Sequence, residues 1–480
     1  MSFKLPETGL FIDGKSVAAG DMAEFDVFDP ASEQSLAKVA SATVEDAKRA
    51  VDAAERAAAG WAATPPRKRA EILRRAFELM AEREDYLARL ITLENGKALP
   101  ESVAEVRYAA EFLRWYSEES VRIIGEFSVA PGGANRMLVS YHPVGVALLV
   151  TPWNFPAAMV TRKIGPALAA GCTTVLKPAS ETPLTALALA EIFAEAGVPA
   201  GVVNVVPTRR TGEVVSALLD DDRVRKLSFT GSTEVGVRLI EQAARQVIPC
   251  SMELGGNAPF IVLDDADLEV AVASAVTAKL RNGGQSCTAA NRFYVARPVL
   301  ETFTERLAEA MRNLQVGPGL DDGVHIGPLV NAAAVAKVDS LVADAVARGA
   351  RVISGGSAPE GTGYFYTPTV LADVPFDARI VREEIFGPVA PIVAFDSLDE
   401  VVELANSTPF GLVSFIQTTD LAKGLALAER IEAGMVGINR GVVSDAAAPF
   451  GGWKQSGLGI EGGHAGLMEY LETKYIAATW

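Results

Sequence analysis

The thiol in the run "RNGGQSCTAANRF", residues 281 to 293, is the first group in this chain with an evident chemistry. Cys287 stands behind two glycines, among Gln, Ser, Thr and Asn, whereas a packing cysteine is usually buried among apolar side chains. An apolar helix pattern runs into the stretch and the strand-like "RFYVAR" leaves it. The thiol is therefore expected on a mobile polar loop between two packed elements, where its ionised form would be a nucleophile. The other two cysteines, Cys172 and Cys250, are read as packing residues. Three cysteines so scattered make no disulfide frame, and a reducing cytoplasm fits. His142, His325 and His464 stand far apart and match no zinc spacing, so no metal site is expected. If Cys287 attacks a substrate, its base is sought outside histidine.

The elements that position such a loop are legible from periodicity. With 480 residues, 49% of them hydrophobic, the chain is too long for one core and suggests two or three domains. The first 125 residues read as mostly helical. Thr43 opens one helix, with Asp46 placed for a capping box. A longer apolar pattern runs from Pro65 to Gly96, and a further helix covers roughly 98 to 120. "FSVAPGGANRMLVSYHP" predicts two strands around a Pro-Gly-Gly turn. From Val144 onward, short apolar runs alternate with helices, and a second alternating series occupies about 255 to 460. That pattern predicts an α/β fold of two doubly wound domains, with ligands beyond the carboxyl ends of the strands.

Charge and hydropathy exclude other classes. A net charge of -16 argues against nucleic acid and anionic membrane as partners. No apolar run reaches the ~18 residues of a membrane span, and the first residues lack a secretory pattern. The expected location is the cytoplasm.

Seven segments at strand ends and loops carry a resemblance. "TPWNFP" (151–156), "KPAS" (177–180), "FTGSTEVG" (229–236), "ELGGNAP" (253–259), "GQSC" (284–287), "EEIFGP" (383–388) and "PFGG" (449–452) occur in this order. With them the chain resembles the aldehyde dehydrogenase superfamily over essentially its whole length. The resemblance implies Cys287 as nucleophile, Asn154 and the Cys287 amide as oxyanion donors, and Glu253 as the base that activates water. It implies a cofactor path along Trp153, Asn154, Lys177, Pro178, Ala179, Ser180, Thr230, Gly231, Ser232, Leu254, Glu384 and Phe386. "GSTEVG" alone, with neither GxGxxG spacing nor a following Lys, is a weak phosphate signal. Many NAD-preferring relatives carry Glu where Ser180 stands. Ser removes the repulsion toward a 2′-phosphate, so NADP is the expected cofactor, with NAD possible. Glu181, one residue on, could restore that repulsion.

Within the superfamily the chain is most similar to the succinate-semialdehyde dehydrogenases. That likeness implies Arg162, Arg281 and Ser444 on the distal carboxylate of a small anionic semialdehyde, with Phe155 and Phe450 as apolar walls. Guanidinium groups suit a carboxylate through paired hydrogen bonds. Each residue also has a plainer reading. Arg281 could complement a helix C-terminus, Arg162 could pair with a surface acid, and Ser444 could be an ordinary loop residue. Glutarate semialdehyde or a broader range of aldehydes are alternative substrates, since one methylene is worth only ~1–3 kcal/mol of discrimination. A CoA-acylating relative would lack Glu253, and a non-enzymatic scaffold would be free to lose Cys287, Glu253 or Asn154. Ala289 stands where many subfamily members carry a second cysteine, so their redox switch is expected to be missing. Arg209 and Arg210 are read as surface charge. The resemblance further implies a cofactor domain (1–125 and 143–254), a catalytic domain (255–460) and an oligomerisation element (126–142 and 461–480), in a homodimer or homotetramer.

Overall fold

A computed structural model describes residues 3–480. Five parallel strands form the centre of the first sheet: β1 (Val146–Val150), β2 (Thr173–Lys177), β3 (Val203–Val205), β4 (Val224–Thr230) and β5 (Cys250–Glu253). Their order is β3-β2-β1-β4-β5. The order reverses between β1 and β4, and such a switch point opens a crevice at the carboxyl ends of the strands. β1 and β2 are buried along their whole length, which is why both read as unbroken apolar runs. The hairpin Leu10–Ile12/Lys15–Val17 closes one edge, and Gly457–Leu458 closes the other against β5.

The second sheet contains β6 (Ala258–Val262), β7 (Ala290–Ala296), β8 (Arg351–Ser354), β9 (Thr369–Ala372), β10 (Val389–Phe395), β11 (Val413–Gln417) and β12 (Met435–Ile438). It runs β8-β9-β10-β7-β6-β11-β12, parallel except for β8 against β9. The fold is thus α/β with two doubly wound sheets, as the alternation of runs requires.

The helical amino-terminal region packs on the first sheet. Thr43 and Asp46 form the expected capping box on helix Val44–Ala62. The apolar pattern from Pro65 to Gly96 is two helices rather than one, Pro66–Glu82 and Glu84–Asn95. Arg83 leaves the helical conformation between them, and Glu84 and Asp85 fill the first turn of the second helix, where the macrodipole favours acids. Gly96 ends it with φ 92°, a left-handed cap that suits glycine. Four short strands precede these helices, including the pair Glu24–Phe28/Ser35–Ala40. Glu126–Val129 and Arg136–Pro143 form the expected hairpin, and Leu471–Ala478 adds to it through eight register pairs.

Candidate active site

The loop carrying Cys287 is built by a forced change of direction. Helix Leu268–Leu280 ends, and Asn282, Gly283 and Gly284 all adopt positive φ, at 52°, 61° and 81°. A Cβ on Gly284 would lie 2.2 Å from the Gly387 carbonyl oxygen, so only glycine fits. The Asn282 side chain donates to the Asn154 carbonyl at 2.8 Å, and its backbone N–H donates to Glu101 Oε1 at 2.8 Å. Gln285 is fully buried; its side chain donates to the Asn282 carbonyl and accepts the Val330 N–H at 2.8 Å. The sequence suggested a mobile polar loop, and the structure corrects this. The polar side chains bond one another and the neighbouring backbone, so the segment is buried and tied down.

Cys287 keeps part of its surface open to the cleft. Burial nevertheless pushes its thiol up to about 12, against the downward pull of Arg162 and the weaker pull of Arg281. It is therefore a neutral thiol at rest. Its backbone N–H has no acceptor among the described residues. Asn154, 4% exposed at the end of β1, gives one side-chain hydrogen to the Gln285 carbonyl at 3.1 Å and has no protein acceptor for the other. The Asn154 carbonyl is fixed by Lys97 Nζ at 2.8 Å, and Lys97 is in turn paired with the buried Glu105. Two N–H groups thus remain free beside the sulfur, on a rigid frame. Asn154→Ala is expected to lower kcat by about 100- to 1000-fold, the usual effect of losing one oxyanion donor. Steady-state rates measured alongside cofactor affinity will check this.

Glu253 closes β5 at 2% exposure, and neither carboxylate oxygen has a hydrogen-bond partner. Burial raises it well above the usual carboxylate range, and the charge of Glu461 adds to this, while Arg162 and Lys163 oppose it. Burial thus favours the protonated form of Glu253. Two glycine segments close on this site. A Cβ on Gly256 would meet the Cys287 carbonyl at 2.4 Å, and one on Gly451 would come within 3.6 Å of Glu253 Oε1. "ELGG" and "PFGG" therefore converge on the thiol and the carboxylate. Sequence reasoning missed Glu461, which accepts from buried Lys163 and from Ser228. The available signal was Arg162-Lys163, two adjacent cations on the otherwise apolar and wholly buried helix Pro156–Ala170. Such cations need an acid from elsewhere in the fold.

A cleft of about 390 Å³ opens at the switch point. It is lined by Trp153, Asn154, Thr230, Gly231, Ser232, Leu254, Cys287, Glu384 and Phe386, among others. Trp153 and Phe386 meet edge to face at 5.5 Å. Ser232 caps helix Thr233–Ala243, leaving the amino end of that helix beside Gly231. Glu384 accepts the Gly256 N–H at 3.2 Å, and burial pushes its carboxyl up to about 7. Lys177 closes β2 at 6% exposure with no ion pair among the described residues; burial brings it down to about 8. Pro178, Ala179 and Ser180 follow it, outside the lining of that cleft. Ser180 donates to the Glu181 carboxylate at 3.2 Å. Arg210 pairs with Asp21 at 2.6 Å and Arg209 lies over the Phe25 ring, so both are occupied at the surface. These residues suit a nicotinamide dinucleotide. The cleft presents an aromatic wall and a helix amino end, and Lys177, a buried lysine without an ion pair, stands outside its lining at the end of the neighbouring strand β2.

On the other side of Cys287 lie the two arginines. Arg162 is 3% exposed; it lies 4.1 Å from the centroid of the Phe450 ring, donates to the Tyr108 hydroxyl and sits 3.7 Å from Glu461. Its reading as the partner of a surface acid is therefore correct in part, since the acid it faces is buried. Arg281 packs 5.2 Å from the Phe155 ring centroid and has no acidic partner among the described residues. Ser444 opens on a separate cavity of about 380 Å³ shared with Tyr108, not on the cofactor cleft. Cys172 is buried against the Tyr470 carbonyl, as its packing role requires, and Ala289 is buried without a thiol. No cluster of metal-binding side chains occurs among the described residues.

A thiol facing the cofactor edge of a doubly wound sheet, with amide donors beside it and a buried carboxyl behind, marks an oxidoreductase that works on a carbonyl carbon. The chain belongs to the aldehyde dehydrogenase family, which it matches over residues 17–476. It is 54% identical to a succinate-semialdehyde dehydrogenase of Paenarthrobacter nicotinovorans, over 92% of this chain and 98% of that one. It is 48% identical to a glutarate-semialdehyde dehydrogenase of Pseudomonas aeruginosa, over 98% of each. The crystal structure of an NADP-dependent enzyme from E. coli superimposes with a TM-score of 0.98 at 49% identity, covering 99% of this chain and 100% of the other. No helix among the described residues is long and apolar enough to cross a membrane.

Proposed function

We propose that this protein oxidises succinate semialdehyde to succinate with NADP or NAD, through a thioester on Cys287. Arg281 carries this reading. Its guanidinium stands beside Phe155 and within electrostatic reach of Cys287; it forms no ion pair among the described residues, and the one acid whose charge it feels, Glu101, is already occupied by the Asn282 N–H. An unpaired cation next to a nucleophile is placed to hold an anionic aldehyde by its far end.

Cys287 first gives its thiol proton to solvent; the thiolate then adds to the aldehyde carbon as the C=O π bond breaks, and the oxygen that gains the charge takes hydrogen bonds from Asn154 Nδ2 and the Cys287 amide. A bound nicotinamide would supply the hydride acceptor for that carbon, which Cys287 and Asn154 hold in place. Glu253, once ionised, takes a proton from the water that opens the thioester. Lys177 and Ser180 would meet the adenosine ribose. The hydroxyl of Ser180 leaves room for a 2′-phosphate, while the Glu181 carboxylate held beside it favours an unphosphorylated ribose. Both nucleotides are therefore expected to serve, with NADP preferred.

The likeness to a glutarate-semialdehyde dehydrogenase supports a second substrate one methylene longer, because the guanidinium recognises the anion rather than the chain length. We assign the cofactor domain to 1–125 and 143–254 and the catalytic domain to 255–460, with Gly457–Leu458 crossing back from the second segment to pair with β5. The three-stranded sheet of 126–142 and 461–480 exposes Phe127, Val129, Tyr475, Ile476 and Trp480, apolar surface that suits burial in a homodimer or homotetramer. The cytoplasm remains the proposed location.

Initial rates with succinate semialdehyde and with butanal, each with NADP and with NAD, test the reading. The anionic aldehyde is expected to win clearly, and Arg281→Ala is expected to cut its kcat/KM by about 100-fold, the scale of one lost charged pairing, while sparing butanal. Equal rates on both aldehydes would defeat it.

A further inference from the structure

Arg162 is held in an unusual way for a residue meant to receive a substrate anion. Glu461 faces one amino group at 3.7 Å, the Phe450 ring covers its face, and its Nε has no partner. The other amino group donates to the hydroxyl of Tyr108. Tyr108 lies on helix Leu99–Glu119, its ring fixed edge-on against Phe112 at 5.0 Å. The phenol oxygen therefore accepts from Arg162, while its own proton has no acceptor among the described residues. Tyr108 also lines the cavity of about 380 Å³ that contains Ser444; Glu111, Glu118 and Asp445 line the same cavity with Arg114, so an anion is favoured only at the end where the Tyr108 hydroxyl meets Arg162. One side chain thus touches the buried guanidinium and the space beyond it.

We propose that Tyr108 determines anion specificity: it holds Arg162 in place and donates its phenol proton to the distal carboxylate of the substrate. Glu461 is bonded to Lys163 and faces Arg162 at 3.7 Å without a hydrogen bond, so the guanidinium keeps charge for an incoming anion and gains from a neutral donor that aligns that anion beside it. Ser444 would supply a second hydroxyl from the same cavity. A hydrogen bond from a neutral hydroxyl to a carboxylate is worth more than one between neutral groups, so losing it must weaken an anionic ligand far more than an uncharged one. This inference rests on the anionic-aldehyde reading above.

Tyr108→Phe removes only the hydroxyl and keeps the ring on Phe112. The expected result is a rise of about tenfold in KM for succinate semialdehyde with kcat within about twofold, in line with a lost charge-assisted hydrogen bond. The inhibition constant of succinate should rise in parallel, and that of butyramide should not. Tyr108→Leu removes the ring as well and should weaken butanal too, separating packing from hydrogen bonding. A Tyr108→Phe protein that weakens succinate and butyramide equally, or neither, overturns the proposal while leaving the anionic-aldehyde reading intact. A wild-type protein that treats succinate semialdehyde and butanal alike overturns both.

Discussion

Replacing Cys287 by alanine is expected to lower kcat by on the order of 10⁴-fold or more, since no other group in the cleft can form the covalent intermediate. The fold should survive. The hydrogen bonds that fix the loop come from Asn282 and Gln285, not from the thiol. Cofactor affinity, followed by fluorescence quenching, should stay within a few-fold of the parent. Alkylation supplies an independent reading. Cys172 is enclosed and should react slowly, whereas Cys250 and Cys287 both keep part of their surface open, so protection by aldehyde and cofactor is what distinguishes the site thiol. The single thiol that aldehyde and cofactor protect should vanish in Cys287→Ala. If the variant keeps more than a hundredth of the parent rate, the nucleophile lies elsewhere.

Glu253→Gln is expected to slow thioester hydrolysis by about 100- to 10,000-fold, the range for a general base. The earlier steps are less affected. Rapid mixing should therefore show a burst of reduced cofactor close to one equivalent per site, followed by a slow steady state. Absence of the burst, with all phases slowed alike, would place Glu253 before hydride transfer instead. The pH dependence follows from the same environment. Cys287 and Glu253 must both lose protons to act, and burial raises both. Each is protonated below its raised value, so turnover should climb as pH rises above neutrality and fall as it drops. In Glu253→Gln the hydrolytic phase should lose the part of that climb due to the carboxyl. A profile flat from pH 6 to 9 in the parent enzyme would contradict the upward shift that burial gives both groups.

Much of this was legible before any coordinates. The capping box at Thr43, the alternating runs after Val144 and the hairpin before His142 appear where local pattern placed them. These features are governed by period, turn chemistry and side-chain reach within a few residues. The break at Arg83 was less visible, because apolar spacing continues on both sides of it and only the acidic pair Glu84-Asp85 marks a new first turn. The loop of Cys287 misled more seriously. Polar residues next to glycines suggest mobility when partners are unknown, yet Asn282 and Gln285 find theirs in Asn154, Val330 and each other.

The sequence by itself pointed to the proposed chemistry of the site, through short motifs rather than single residue types: a thiol in a glycine-rich run, an Asn in "TPWNFP" and a Glu in "ELGGNAP". It also determined the α/β class, because buried parallel strands must read as apolar runs. Only the tertiary structure decided the state of those groups. That the protonated forms of Cys287 and Glu253 are favoured depends on burial by distant segments. That Arg162 is shared with Glu461 and Tyr108, while Arg281 stands free, depends on contacts across 299 and 54 positions in the first case and on their absence in the second. Charge state and pairing are set by whatever lies within a few ångströms in space, and spacing along a chain carries little of that information.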